Sequence, residues 1–114
     1  GEVAVASTGL IGVRLPMDIL LPGVTTPAPA LSAPGGEAAA IALKTTATVH
    51  TTAQLTTPAG RTVGRMANGA GILAPSLATM LVVLTTDADV DPPVLDAALR
   101  GATRTTLPRF DSYG

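Results

Sequence analysis

The chain has no cysteine and no tryptophan, and its 114 residues include one histidine (His50), one lysine (Lys44), one phenylalanine (Phe110) and one tyrosine (Tyr113). Without cysteine there is no disulfide framework, no thiol nucleophile and no thiolate metal centre. A single histidine excludes multi-histidine metal sites and leaves little for Ser-His-Asp chemistry. Seven basic residues face eight acidic ones, for a net charge of −1. That balance offers no basic footprint for nucleic acid, and no run of like charges forms an interaction tail. Most common catalytic machinery is therefore missing, and no cofactor or metal is expected.

What is present is alanine and threonine, 20 and 17 residues respectively. At 46% hydrophobic and 13% charged, the chain is too apolar to be disordered. Its length suits one domain at most, and small side chains each bury little area, so a free-standing core would be thin. The composition points to a piece of something larger. Residues 66–86 carry no charge over a membrane-spanning length. Asn68, Pro75, Ser76 and the interspersed glycines and threonines argue instead for buried non-membrane structure. The first residues show no basic segment followed by an apolar one, so no signal peptide is expected.

Patterning along the chain predicts a mixed α/β domain without internal repeats. Residues 2–7 (EVAVAS) read as a short buried strand, closed by Thr8-Gly9 and Gly12. Residues 16–21 (PMDILL) read as a turn or two of helix that stops at Pro22-Gly23. Residues 25–36 are rich in Pro, Gly, Ser and Ala and read as the one flexible loop. Residues 37–44 (EAAAIALK) favour helix, with an acid at the start and a base at the end. Residues 45–57 alternate as a strand with one solvated face. Pro58-Ala59-Gly60 then turns the chain into a partner strand over 61–66, and Gly69-Ala70-Gly71 ends it. Residues 75–78 read as a turn or helical start, and 80–85 (MLVVLT) as a buried strand. Asp91, as cap, and Pro92-Pro93 open a helix over 94–104.

Taken alone, the candidate chemical motifs are weak. Residues 7–12 (STGLIG) follow a strand and could offer backbone N–H groups to an anion or oxyanion, but on the residues alone they read rather as a plain turn. Gly69-Ala70-Gly71 lacks the lysine of a phosphate loop. His50 lies on a polar strand face and reads as a solvated histidine. Asp87, Asp89 and Asp91 lack the Gly and Glu of a calcium loop and read as a solvated turn.

The stretch 69–88 (GAGILAPSLATMLVVLTTDA) is more specific. It resembles the self-cleavage region of the ornithine acetyltransferase (glutamate N-acetyltransferase) family, where the cut precedes the threonine of an Ala-Thr-Met-Leu motif. Here that motif is Ala78-Thr79-Met80-Leu81, followed by Thr85-Thr86-Asp87-Ala88. The resemblance extends upstream to residues 6–12 (ASTGLIG), 15–18 (LPMD) and Thr45-Thr46. Downstream it includes 95–99 (LDAAL), 104–106 (RTT) and Asp111-Ser112. Nearly the whole chain is covered, with 25–36 the poorest part.

The resemblance implies an α/β layered fold with an N-terminal threonine nucleophile. Residues 1–78 would match the end of the family's α chain and 79–114 the start of its β chain. Thr79 would attack the Ala78 carbonyl, shift it from nitrogen to oxygen, and be freed by hydrolysis as a new N-terminus. Its hydroxyl would then be the nucleophile and its α-amine, which titrates close to neutral pH, the base. One residue would thus replace the missing Ser-His pair. Thr79 would take the acetyl group from N-acetylornithine and pass it to glutamate in the arginine pathway, in the cytoplasm. Thr8 and Gly9 would stabilise the oxyanion, and Thr45 and the residue at position 68 would contact substrate. Three positions depart from the family pattern: Asn68 stands where lysine is usual, and Ala47 and Thr51 stand where Asp and Lys are usual. Implied partners are the two small substrates, the missing remainder of the enzyme or a second chain, and a homo-oligomer, with neither nucleic acid nor membrane. Two alternatives remain: a non-catalytic remnant of the fold acting as a structural or interaction piece, and an N-terminal-threonine amidohydrolase.

Overall fold

The computed structural model describes residues 4–7, 12–26, 28–44, 48–69, 72–73, 79–107 and 112–113. Its centre is a three-stranded antiparallel sheet ordered β1-β2-β4, from β1 (Thr51–Thr56), β2 (Thr62–Gly69) and β4 (Met80–Thr86). Three helices accompany it: α1 (Met17–Thr25), α2 (Gly36–Leu43) and α3 (Pro92–Thr105). A two-residue ladder joins β3 (Ile72–Leu73) to β5 (Ser112–Tyr113). The mixed α/β expectation holds.

The β1–β2 hairpin forms where the turn chemistry demands it. Thr57 and Arg61 close a three-residue loop: the Gly60 N–H donates to the Thr57 carbonyl at 2.9 Å, and the Thr57 N–H to the Arg61 carbonyl at 2.7 Å. The Thr57 hydroxyl also accepts from the Arg61 N–H at 3.1 Å. Pro58 presets the first corner, and Gly60 takes the left-handed conformation the loop requires, with φ +77°. From there the register runs Thr56↔Thr62 to Thr51↔Ala67. The first strand is shorter than its alternation predicts, because residues 48 and 49 bend rather than pair. The second is longer and reaches Gly69.

Several expectations change. Residues 4–7 form no strand and lie exposed, Val5 retaining 89% of its surface. Helix α1 does not stop at Pro22 but runs through it to Thr25. Pro22 costs one backbone bond, and its own carbonyl recruits the Thr25 hydroxyl at 2.8 Å and the Thr26 N–H at 3.3 Å to finish the helix. The Pro-rich stretch is not one loop: it contains 3₁₀ turns at Ala28–Ala30 and Ala33–Gly35. Asp91 stands at the start of α3, but it is its carbonyl that accepts from Val94 and Leu95, both at 3.0 Å, while its carboxylate makes no cap bond. Strand β4 exists as expected but is not buried: its first three residues are half-covered and its last four exposed. The turn expected at 75–78 lies outside the described residues, as do Ala70 and Gly71 of the glycine break.

Helix α2 packs against β1 and β2. Its Ala40 is the single buried apolar residue among those described, and no described side chain is wholly enclosed. Residues 66–86, long enough to span a membrane, instead contribute strands, and among the described residues no helix is long and apolar enough to cross one.

Replacing Gly60 with alanine forces a Cβ into the left-handed region and is expected to cost about 1–2 kcal/mol. Asparagine, which tolerates that region, should cost less. Urea unfolding midpoints of the two variants check the order; equal stability of wild type and Gly60→Ala would contradict it.

Candidate functional site at the β2–β4 end

Antiparallel pairing of β2 with β4 sets Asn68 opposite Leu81 and Gly69 opposite Met80. Thr79 is the residue immediately before β4 and is exposed. Thr79 directly precedes Met80, the partner of Gly69, so Thr79 and Asn68 stand at the same end of the β2–β4 ladder.

Asn68 is 5% exposed and is the one buried polar or charged residue among those described. A buried side-chain amide is costly unless bonded, and no buried side-chain polar atom among the described residues lacks a partner. The site therefore pairs an accessible hydroxyl with a fixed amide at one end of the sheet.

The other end holds the register. The Asp87 carboxylate accepts from the Thr62 N–H at 2.7 Å, and the Thr86 hydroxyl donates to the Thr62 carbonyl at 2.9 Å. The Asp87 N–H reaches that carbonyl at 3.4 Å. Asp87 is thus a structural acceptor rather than a merely solvated aspartate. Among the described residues no cluster of His, Asp or Glu could hold a metal ion. Between the two ends, Gly64 lies opposite Thr85, where a Cβ would meet the threonine hydroxyl at 3.0 Å.

His50 also differs from expectation. It is half-buried, with Nε2 3.9 Å from the Glu37 carboxylate of α2, rather than standing free in solvent. Lys44, at the end of α2, donates to the Thr48 carbonyl at 3.4 Å. These two links bracket residues 45–47, which include Thr45 and Ala47. Thr45, Thr8, Gly9 and Ala78 themselves lie outside the described residues. Of the candidate residues, then, the fold brings together Thr79 and Asn68. Sequence reasoning missed the Asp87 clasp, whose one signal was an aspartate directly after an apolar strand.

A three-stranded antiparallel α/β domain presenting a threonine at a strand's start defines the class. The chain matches the model of the ArgJ family over residues 1–112 and belongs to that family. It is 69% identical over 114 residues to the "Arginine biosynthesis bifunctional protein ArgJ" of Streptomyces avermitilis, covering 100% of this chain and 30% of that protein. The Streptomyces coelicolor protein of the same name is 67% identical with the same coverage. That of Mycobacterium tuberculosis is 53% identical over 115 residues, 99% of this chain and 28% of its own length. The chain spans about 30% of the length of the curated relatives it matches.

Loss of the Asp87 acceptor should loosen the register clasp. Asp87→Ala is expected to cost about 1 kcal/mol and to speed amide exchange at Thr62, with Asp87→Asn intermediate. Unchanged exchange at Thr62 in the alanine variant would remove the clasp from the account.

Proposed function

We propose that this chain serves arginine biosynthesis as the part of an ornithine acetyltransferase (glutamate N-acetyltransferase) that carries the self-cleavage site and the nucleophile. The observation that carries the reading is Thr79, exposed and directly ahead of β4. Family membership and the shared name of the relatives support it.

In the proposed maturation, the Thr79 Oγ attacks the Ala78 carbonyl carbon. The new C–O bond replaces the C–N bond, and the former amide nitrogen becomes an α-amine. Water then hydrolyses the ester, leaving a carboxylate on Ala78 and a free hydroxyl on Thr79. In turnover, the same hydroxyl gives its proton to the α-amine and attacks the acetyl carbonyl of N-acetylornithine. Ornithine leaves with that proton, and the glutamate amine takes the acetyl group from the threonine ester. Thr8 and Gly9 donate to the oxyanion, which is worth a large share of such a barrier. Thr45 and Asn68 hold the substrate. The fold completed around this chain is the layered N-terminal-threonine-nucleophile type, its α chain ending at Ala78 and its β chain beginning at Thr79. The reaction uses no cofactor and takes place in the cytoplasm.

A second reading, a non-catalytic piece of the fold, rests on Asn68, Ala47 and Thr51, which depart from the residues usual at those positions in the family. The denatured intact mass of freshly purified protein separates the two. Two species breaking between Ala78 and Thr79 are expected, with Thr79→Ser still cut and Thr79→Ala uncut. A single full-length species from the wild type, or cleavage surviving in Thr79→Ala, overturns the proposal.

Asn68 gives a second test in the full-length enzyme. A lysine there supplies a charge-assisted bond to a substrate carboxylate, on the order of 1.5–3 kcal/mol where it forms. Asn68→Lys is expected to lower the KM for glutamate about tenfold; an unchanged KM would count against this position as a carboxylate contact.

A further inference from the structure

Asn68 is the only asparagine of the chain, and a glycine follows it. An Asn-Gly step is open to deamidation, because glycine puts no side chain around its own nitrogen and lets the backbone turn freely. In that reaction the Gly69 backbone nitrogen attacks Cγ of Asn68. The new C–N bond closes a cyclic imide, and Nδ2 leaves as ammonia, taking the proton of the attacking nitrogen. Water then opens the imide at either carbonyl, leaving aspartate or isoaspartate. The sequence of steps consumes water and nothing else.

The fold opposes the first step. Ring closure requires Asn68 to leave the extended backbone of a strand, so that the Gly69 nitrogen can swing onto the neighbouring side chain. Both residues belong to β2, and the register sets Asn68 against Leu81 and Gly69 against Met80. On the β1 side the ladder stops earlier, at Thr51↔Ala67. Among the described strands, β4 alone therefore pairs with the Asn-Gly step. Asn68 is also only 5% exposed, which keeps water from an imide formed there. Strand ends are the parts of a sheet that open most readily, and Gly69 is the last residue of β2.

We infer that Asn68-Gly69 is a modification site controlled by the pairing of β2 with β4, closed while the ladder reaches Gly69 and deamidated when that end of the sheet opens. The change runs one way. It sets a carboxylate where an amide was buried, and a buried charge is far costlier than a bonded amide, so the modified strand end closes less readily than the original. The inference does not use the chemistry at Thr79. Its bearing on catalysis, a negative charge facing the substrate carboxylate at position 68, rests on the proposed function.

Intact mass and peptide mapping of the chain, followed over days in mildly alkaline buffer, test it. Unfolded in urea, the chain is expected to gain an amide-to-acid mass change confined to Asn68, slowed in Gly69→Ala by the added Cβ. Folded, it should react at least tenfold more slowly. Leu81→Pro removes the backbone N–H at the partner position of Asn68 and should recover much of the unfolded rate while the β1–β2 hairpin amides stay protected from hydrogen exchange. Asn68→Asp, which installs one product directly, should lower the urea midpoint. A wild-type chain with a protected hairpin that reacts as fast as the unfolded chain would overturn the inference. So would a Leu81→Pro chain with a protected hairpin that reacts no faster than wild type, or an unchanged midpoint in Asn68→Asp.

Discussion

The candidate site depends on the register between β2 and β4. Side chains alternate across a strand, so a slip of one residue would turn Asn68 to the opposite face. The constraint is applied at the far end, where Thr62 is held by the Asp87 carboxylate and the Thr86 hydroxyl. The hairpin closed by Gly60 fixes β2 against β1 in the same way. Two polar closures at the edges thus do what a large core would do in a bigger domain.

The thin core follows from composition. Alanine and threonine supply strand and helix formers without bulk, and one buried alanine under α2 is the whole apolar interior among the described residues. Several larger side chains are left exposed, among them Ile19 and Leu21 of α1, Val83 and Leu84 of β4, and Leu95 and Leu99 of α3.

Much of the fold was legible. The hairpin followed from Pro58-Ala59-Gly60, α2 from its alanine run and flanking charges, and α3 from Asp91 and Pro92-Pro93. The failures share a cause. Residues 2–7 and 80–85 read as buried because apolar runs are normally covered, and local sequence carries no information about whether the covering partner is present. Pro22 misled for a different reason: hydroxyls three and four residues later take up its carbonyl, a compensation visible only once the helix is built. At the site, the Ala-Thr-Met-Leu motif located Thr79, but placing Asn68 at the same end of the ladder needed the register, which a distant aspartate helps to set.

That register also bears on why a nucleophile would sit at a strand's start. A cut before Thr79 would sever the chain on its N-terminal side only. The threonine would keep its covalent link to Met80, and through β4 its ladder to β2, so the new N-terminus would remain at the Asn68 end of the ladder instead of diffusing away. The backbone N–H given up at position 79 lies outside the β4 ladder, whose pairs begin at Met80, so freeing the amine would cost the sheet none of its bonds. A threonine deeper in the strand, such as Thr85 or Thr86, could offer the same hydroxyl but would tear the sheet on release. On the proposed chemistry, position 79 therefore satisfies two demands at once: an exposed residue to carry the nucleophile, and a paired strand behind it to hold the product.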